Sequence, residues 1–245
     1  YTKQTPKPLL KLSKNEFLQD LINCNSKFNV DKILILSGYK SYKFKKNYSN
    51  KYNNLLKTIL IEEEKPLDTG GALSQLKNIN EDIILINGDT YFDIDLNDFI
   101  KKSQLNKSEI TIALTKNYKI QSQKLSQLSL TKEGFIKITK NSKFKNAGIY
   151  YLKNKFLKSL VKKRISLEND ILPNKIKQRK VKGVFFKNKF IDIGSYENLK
   201  IGKKIIPKML LKPAIILDRD GVINYDYEYV SKFKKFKFRP GVLKA

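Results

Sequence analysis

Two aspartates lie far apart in the chain, and each follows a short apolar run of the kind that forms a buried strand. Asp89 closes the run that begins at Ile83, and Asp192 follows Phe190 and Ile191. Open α/β sheets bind ligands in the crevice at the carboxyl ends of their strands. Two carboxylates that meet in such a crevice can hold Mg²⁺, the ion that accompanies the phosphates of nucleotides. The sequence therefore predicts a magnesium site at one edge of a sheet.

A lysine near the start of the chain is a second candidate for phosphate chemistry. Lys7 stands between Pro6 and Pro8, and the two prolines predict an extended, rigid backbone. A lysine fixed in this way can act as a point charge on a phosphate group. The alternative is a solvated lysine on a rigid loop.

A glycine pair within residues 63–72 marks a third candidate. Gly70 and Gly71 stand where the apolar pattern predicts the start of a helix. Glycines at a helix start allow backbone N–H groups to approach a ligand closely. A plain glycine-rich turn explains the same residues without a ligand.

The other motifs also have purely structural interpretations. Asn87-Gly88-Asp89 is equally consistent with a plain turn at a strand end. Asn146 can simply start a strand that is entered through a tight turn, and Asp192 can be the N-cap of a helix. Taken singly, none of these motifs separates a binding site from ordinary architecture.

Continuous apolar runs alternate with amphipathic segments through the first half of the chain. Ser13 and Glu16 predict a capping box in front of a helix. Further strands are predicted at 32–37, 58–62, 83–87 and 109–114, and further helices at 70–73 and 96–102. Buried strands that alternate with helices predict a Rossmann-like α/β fold, with a mostly parallel sheet covered on both faces.

The pattern changes beyond residue 125, where short runs around Gly134 predict a hairpin. This half is predicted to contain strands at 128–130, 135–138 and 147–152, helices at 153–163 and 167–172, and a closing hairpin of 181–186 with 190–193 through 187–189. The stretch from Lys200 to Pro213 predicts an end helix and a linker. The apolar run from Ala214 to Leu217 then predicts the first strand of another domain.

The composition restricts the class of protein. The formal net charge is +27, and the excess is almost all lysine spread through every segment, with few arginines. A protein that binds nucleic-acid backbones more often clusters its charges and uses arginine, so we expect anionic small substrates and no nucleic-acid partner. No run approaches the length of a membrane helix. The single cysteine, Cys24, indicates a core residue in a reducing, cytoplasmic compartment.

In this order and spacing, the motifs of residues 1–200 resemble the sugar-1-phosphate nucleotidyltransferases, closest to the heptose and mannose 1-phosphate guanylyltransferases. The resemblance implies that a sugar 1-phosphate oxygen attacks the α-phosphorus of a nucleoside triphosphate, with GTP favoured, and that pyrophosphate leaves. It also implies Mg²⁺ as cofactor. The family's glycine-rich loop would precede Tyr1, so the resemblance leads us to expect truncation at the amino-terminal end. Truncation is also expected at the carboxyl-terminal end, for the reason given below for the late motif.

The resemblance assigns roles by position. Lys7 matches the lysine that neutralises phosphate charge, and Asp89 and Asp192 match the two Mg²⁺ ligands. The residues that match the nucleotide-binding positions are Glu63, Pro66, Gly70, Gly71 and Gly88. The residues that match the sugar-phosphate positions are Gly134, Lys140 and Asn146.

A late motif resembles a different family. The segment from Asp218 to Asn224, with an apolar run before it, is similar to the first motif of haloacid-dehalogenase-type phosphatases of the heptose-bisphosphate and histidinol-phosphate branch. The resemblance implies that Asp218 attacks phosphorus, that Asp220 transfers the proton, and that both help to hold Mg²⁺. The family's later motifs would lie beyond Ala245.

The two resemblances together predict a bifunctional enzyme of nucleotide-activated heptose synthesis. We expect a nucleotidyltransferase domain at 1–206, a linker at 207–213 and the start of a phosphatase domain at 214–245. A phosphatase that removes one phosphate from a sugar bisphosphate leaves the sugar 1-phosphate that the transferase uses. The alternatives are a transferase for mannose or another sugar 1-phosphate, or an inactive basic binding protein of the same fold. Homo-oligomer formation is left open.

Overall fold

Apolar runs form the strands of this structure, and amphipathic segments form its helices. The computed structural model describes residues 4–28, 30–53, 56–116, 128–139, 142–211, 216–228 and 230–243. The strands are β1 (Lys32–Ser37), β2 (Lys51–Asn53), β3 (Leu56–Glu62), β4 (Ile83–Ile86), β5 (Thr90–Phe92), β6 (Ile110–Thr115), β7 (Leu128–Leu130), β8 (Ile136–Ile138), β9 (Lys145–Leu152), β10 (Val181–Phe185) and β11 (Phe190–Asp192). The α-helices are α1 (Phe17–Asn25), α2 (Tyr42–Tyr48), α3 (Asp68–Leu73), α4 (Leu96–Gln104), α5 (Asn154–Lys158), α6 (Leu172–Lys177) and α7 (Tyr196–Leu210).

The central sheet has the strand order β10-β6-β9-β4. β10 runs parallel to β6, whereas β9 is antiparallel to both β6 and β4, so three of the four strands point the same way. A second sheet has the order β1-β3-β2, in which β1 and β3 are parallel. The carboxyl ends of β4, β6 and β10 therefore meet at one edge, together with the start of β9.

Both faces of the central sheet are covered. Every residue of β6 is buried. On one face, Ile110, Ile112 and Leu114 pack in a cluster with residues of α5 and α6. On the other face, Ala113 packs in a cluster with Phe99 of α4. Successive strand residues point to opposite faces, so a strand buried on both sides reads as one continuous apolar run. The predicted fold class is confirmed for this part of the chain.

The predicted capping box of α1 is wrong. The N-cap of α1 is Glu16, and its side chain makes no capping hydrogen bond. Glu16 instead accepts a hydrogen bond from the Tyr48 hydroxyl at 2.6 Å, and Ser13 donates to Asp20 at 2.6 Å. Both side chains bond other side chains, so neither caps the start of the helix.

The predicted closing hairpin of 181–193 is also wrong. β10 pairs with β6, and β11 pairs antiparallel with β5. The residues between them carry the chain from one strand partner to another instead of forming a hairpin turn. The predicted helix at 153–163 is shorter, because α5 ends at Lys158. The end helix α7 continues through Pro207 to Leu210 and so enters the predicted linker.

The chain divides into two compact units, Tyr1–Leu210 and Leu211–Ala245. In the second unit, no α-helix or strand is present among the described residues. Ile216 and Leu217 fall in the predicted strand but are not in a strand and are exposed, while Ala214 lies outside the described residues.

None of the helices in the described ranges combines the length and the apolar content that a bilayer span needs.

Gly71 of α3 and Gly202 of α7 differ in what an added methyl group would meet. A Cβ on Gly71 would overlap the backbone oxygen of Lys163, whereas one on Gly202 would meet only side-chain tips, those of Ile193, Ile206 and Ile191. We expect Gly71→Ala to lower the free energy of unfolding by about 2–3 kcal/mol. Gly202→Ala should change it by about 1 kcal/mol or less, because the side chains can move and alanine favours the helix. Urea unfolding of the two variants checks this, and equal losses would contradict it.

Candidate active site

Asp89 lies directly beyond β4, in contact with the N-terminal segment of the chain. Lys7 Nζ lies 3.4 Å from Asp89 Oδ2, and each side chain is about one-third exposed (32% and 30%). A Cβ on Gly88 would meet Pro8 at 3.0 Å, so the missing side chain lets this segment pack on the strand end. The backbone of Lys7–Leu9 is a 3₁₀ helix and not the predicted extended segment. Lys7 is thus held in place by one helical turn that packs on Gly88 through Pro8.

The β5–β11 pairing brings Asp192 to Asp89. Asp192 lies opposite Thr90 in this ladder, and the backbone N–H of Ile193 donates to the Asp89 carbonyl at 2.9 Å. The backbone N–H of Gly194 donates to Asp192 Oδ1 and orients that carboxylate. The two predicted metal ligands are therefore neighbours, although their positions in the sequence are distant.

The chemistry of this pair fits Mg²⁺. Carboxylate oxygens are hard ligands, and Mg²⁺ is usually held by one or two carboxylates while water and phosphate complete its coordination. In the described part of the chain, no group of three or more His, Cys, Asp or Glu side chains could hold a metal ion. An ion at Asp89 and Asp192 would thus keep open positions for a ligand. Beside such an ion, Lys7 supplies a second positive charge next to the Asp89 carboxylate.

Asn146 lies at the same sheet edge, at the start of β9. Its partner in β6 is Leu114, and the register of the two strands shifts between Ile112 and Leu114. Gly148 takes up this bulge with a φ of +70°. A Cβ there would lie 3.0 Å from the side-chain nitrogen of Asn87, so glycine is needed for both the backbone angle and the space.

Tyr150 and Glu168 belong to this region, and the sequence analysis missed them. The Tyr150 hydroxyl accepts a hydrogen bond from Asn146 Nδ2 at 2.7 Å and donates to Glu168 Oε1 at 3.1 Å. Burial, with the nearby Glu168 carboxylate, raises the pKa of Tyr150 well above its ordinary value, so the phenol stays protonated. The available signal was a glutamate directly after the buried Leu167, since buried charges require partners.

The segment that contains the glycine pair is held by protein groups. Glu63 Oε2 accepts the backbone N–H of Leu67 at 2.9 Å. Gly71 donates its backbone N–H to the carbonyl of Ile165 at 3.1 Å, and both Gly70 and Gly71 are buried. The glycines thus admit the backbone of residues 163–167, and the N–H of Gly71 is already used. Pro66 is exposed on the same loop.

The described contacts do not bring Gly134, one of the predicted sugar-phosphate residues, to this edge. The carbonyl of Gly134 accepts the backbone N–H of Gly183, and the adjacent Glu133 lies 3.8 Å from Arg179, which precedes β10. Gly134 therefore lies beside the first half of β10, away from its carboxyl end. Lys140 lies outside the described residues.

In the second unit, Asp218 and Asp220 flank Arg219, and both carboxylates bond to it. Arg219 donates to both oxygens of Asp220, at 3.0 and 2.7 Å, and Asn224 donates to Asp220 Oδ1 at 2.9 Å. The Arg219 hydrogen bonds hold the pKa of Asp220 below its ordinary value. Asp218 Oδ1 accepts the backbone N–H of Arg219. Asn224 is fully buried, and its Oδ1 atom has no hydrogen-bond partner within the described residues.

Comparison with known proteins gives the family. The model of the nucleotidyl transferase family matches residues 1–125. A D-glycero-alpha-D-manno-heptose 1-phosphate guanylyltransferase of Campylobacter jejuni is 30% identical over 203 residues, which cover 80% of this chain and 88% of that protein. This chain belongs to the nucleotidyl transferase family. A protein of the same name from Aneurinibacillus thermoaerophilus is 28% identical over 217 residues, which cover 82% of this chain and 89% of that protein.

Solved structures agree with this assignment. The crystal structure of HddC from Yersinia pseudotuberculosis complexed with GMP-PN matches with a TM-score of 0.67 and 25% identity, over 82% of this chain and 90% of that chain. A UDP-glucose pyrophosphorylase complexed with UDP-glucose has a TM-score of 0.66 at 17% identity, over 85% of this chain and 92% of that chain, and shares the fold. The nucleotidyl transferase fold of the first unit is therefore confirmed.

The Lys7–Asp89 contact predicts opposite effects of one substitution on metal and nucleotide binding. In Lys7→Gln the ammonium no longer competes for Asp89, so Mn²⁺ affinity without nucleotide should rise about two- to fivefold, the range for a partly exposed ion pair. Nucleotide affinity should fall, because a phosphate loses its cation. Electron paramagnetic resonance of Mn²⁺ and nucleotide titration measure the two, with Lys11→Gln on the exposed surface as control. Weaker Mn²⁺ binding by Lys7→Gln would contradict the arrangement.

Proposed function

We propose that this protein transfers a nucleotidyl group from a nucleoside triphosphate, preferentially GTP, to a sugar 1-phosphate. D-glycero-D-manno-heptose 1-phosphate is the first candidate acceptor. The observation that carries the proposal is the meeting of Asp89, Asp192 and Lys7 at one sheet edge. The choice of base and sugar is supported by the names of the two bacterial relatives and by the GMP-PN bound to the HddC structure.

The proposed reaction depends on placement and charge. An oxygen of the sugar 1-phosphate attacks the α-phosphorus, and pyrophosphate carries away the electrons of the broken P–O bond. Lys7 neutralises phosphate charge, while Asp89 and Asp192 would hold Mg²⁺. A bound Mg²⁺ would polarise phosphate oxygens and stabilise the charge that develops on them. No side-chain nucleophile is required, because orientation and charge stabilisation supply the rate.

The remaining residues would divide the substrates between them. The loop of Glu63, Pro66, Gly70 and Gly71, with Gly88, would form the nucleotide side of the site, and Glu63 would act by holding the loop at Leu67. Asn146 would form the sugar-phosphate side, since it lies at the carboxyl edge of β6. Gly134 and Lys140 keep this role as proposals that rest on their sequence positions alone.

Pyrophosphate release by the full-length protein tests the transferase. With Mg²⁺, GTP and heptose 1-phosphate, we expect release, and Asp89→Asn and Asp192→Asn should each lower kcat by roughly 100-fold or more through lost charge stabilisation. Asp95→Asn is the matched control, because Asp95 caps α4 through the N–H of Asn97 and asparagine caps equally well.

Two other results would redirect the proposal. Release only with mannose 1-phosphate or another sugar 1-phosphate would retain the reaction and change the acceptor. No release from folded protein with any nucleotide and sugar pair would overturn it. A binding role would then be the better interpretation if DNA affinity fell steeply with salt, as backbone binding requires.

For the second unit, we propose the first motif of a sugar-bisphosphate phosphatase, which would produce the acceptor of the transferase. Its support is that Asp218 and Asp220 both bond Arg219, while the buried Asn224 donates to Asp220. In full-length protein with Mg²⁺ and heptose 1,7-bisphosphate, we expect phosphate release that Asp218→Asn abolishes, because the attacking carboxylate is lost. Asp226→Asn, which changes a carboxylate bound only to the N–H of Glu228 in the described contacts, should keep the activity. Release unaffected by Asp218→Asn would contradict the proposal.

A further inference from the structure

The Tyr150 hydroxyl stands at the centre of a buried polar network that joins three parts of the candidate site. We propose that Tyr150 is a positioning residue for the sugar 1-phosphate, which aligns the side chains of Asn146 and Glu168. This inference rests on the proposed transferase function. Its basis is the set of contacts around a single phenol oxygen, which none of the sequence motifs indicated.

The phenol both donates and accepts a hydrogen bond. A phenolic hydroxyl has one proton to donate and two lone pairs to accept. It donates to Glu168 Oε1 at 3.1 Å and accepts from Asn146 Nδ2 at 2.7 Å. The side chain of Asn87, two residues before Asp89, lies near the same hydroxyl. Because Tyr150 is fully buried, no bulk water competes for these bonds.

The same network fixes the orientation of the Asn146 amide. Asn146 Oδ1 accepts the backbone N–H of Gly148 at 3.0 Å, while its Nδ2 atom donates to Tyr150. The two bonds distinguish the oxygen from the nitrogen of the amide, so the group has one orientation. The second Nδ2 proton makes no hydrogen bond within the described residues, and it is the group from which a sugar-phosphate oxygen would accept. Without the phenol, the amide would lose the bond that keeps this proton in place.

Glu168 connects the phenol to the glycine pair. Glu168 is 3% exposed and belongs to the π-helix Leu167–Ile171. That helix follows Ile165, whose carbonyl accepts the N–H of Gly71, and Ile171 lies against Gly70. The segment that supports the nucleotide side thus carries the carboxylate that Tyr150 holds. The hydroxyl therefore lies between the two sides, but the nucleotide side keeps its own support in the bond from Gly71 to Ile165, so loss of the hydroxyl should act mainly on Asn146.

The adjacent tyrosine provides a matched control. Tyr151 is also buried, but its hydroxyl donates to Asp82 at 2.7 Å, and it is paired with Ile84 and Thr111 in the strands on either side. Tyr150→Phe and Tyr151→Phe each remove one buried hydroxyl from the same strand. Only the first removes the partner of Asn146.

Steady-state kinetics of the full-length protein separate positioning from general damage. For Tyr150→Phe we expect the KM for the sugar 1-phosphate to rise about tenfold, the size of one lost buried hydrogen bond. The KM for GTP should change less than about twofold. Tyr151→Phe should change neither value. A rise of both KM values in parallel, or an unchanged sugar KM, would overturn the positioning role.

A second variant removes the effect of an unpaired charge. In Tyr150→Phe the buried Glu168 carboxylate loses its donor, which destabilises the fold. Tyr150→Phe with Glu168→Gln removes that charge and should recover the lost Tm. The raised sugar KM should persist in the double variant, because Asn146 is still without its acceptor. Recovery of Tm and sugar KM together would show a purely structural role and overturn the proposal.

The network can also be examined without turnover. In nuclear magnetic resonance spectra, the Asn146 side-chain amide protons should exchange slowly in the wild type and at least about tenfold faster in Tyr150→Phe. Equal exchange rates in the two proteins would overturn the positioning role even if the enzyme is active. Absence of pyrophosphate release from the wild type would overturn the proposed function instead, so the two failures are distinguishable.

Discussion

The short antiparallel ladder between β5 and β11 is the constraint on which the candidate site depends. It has three residue pairs, and the last of them sets Asp192 opposite Thr90. The next backbone bond, from Ile193 to Asp89, fixes the second carboxylate. β5 and β11 also carry Phe92 and Phe190 into an edge-to-face contact at 5.5 Å, so apolar packing at one end of the ladder maintains the geometry at the other.

Close backbone approaches support the rest of the site. Gly88 leaves room for Pro8, Gly148 for Asn87, and Gly71 for the carbonyl of Lys163. In each case a segment from elsewhere in the chain comes within van der Waals contact of a strand or helix end. The glycine signals in the sequence thus reflect protein packing at least as much as ligand access, which explains why a glycine-rich segment alone is weak evidence for a phosphate site.

The charge of the chain acts at long range and does not define the site. A formal net charge of +27 raises the local concentration of anionic substrates around the protein. The specific chemistry depends instead on two carboxylates, those of Asp89 and Asp192. Asp89 contacts one lysine, and its exposed fraction leaves space for a further cation. A strongly basic chain with two carboxylates at a sheet edge suits substrates that arrive as anions and react with a divalent cation.

The sequence by itself determined most of the strands and helices of the first unit and the acidic strand ends, because periodicity and apolar runs are local properties. The short elements α2, β2 and β5 were not predicted. The sequence also indicated that Asp89 and Asp192 share a sheet edge, since open α/β sheets have only one such edge for ligands. Only the tertiary structure decided that β11 pairs with β5, that Glu16 bonds Tyr48, and that Tyr150 joins Asn146 to Glu168. These contacts join residues that are distant in sequence or hidden in apolar runs. Their free energy comes from burial and pairing in three dimensions, which no local pattern records.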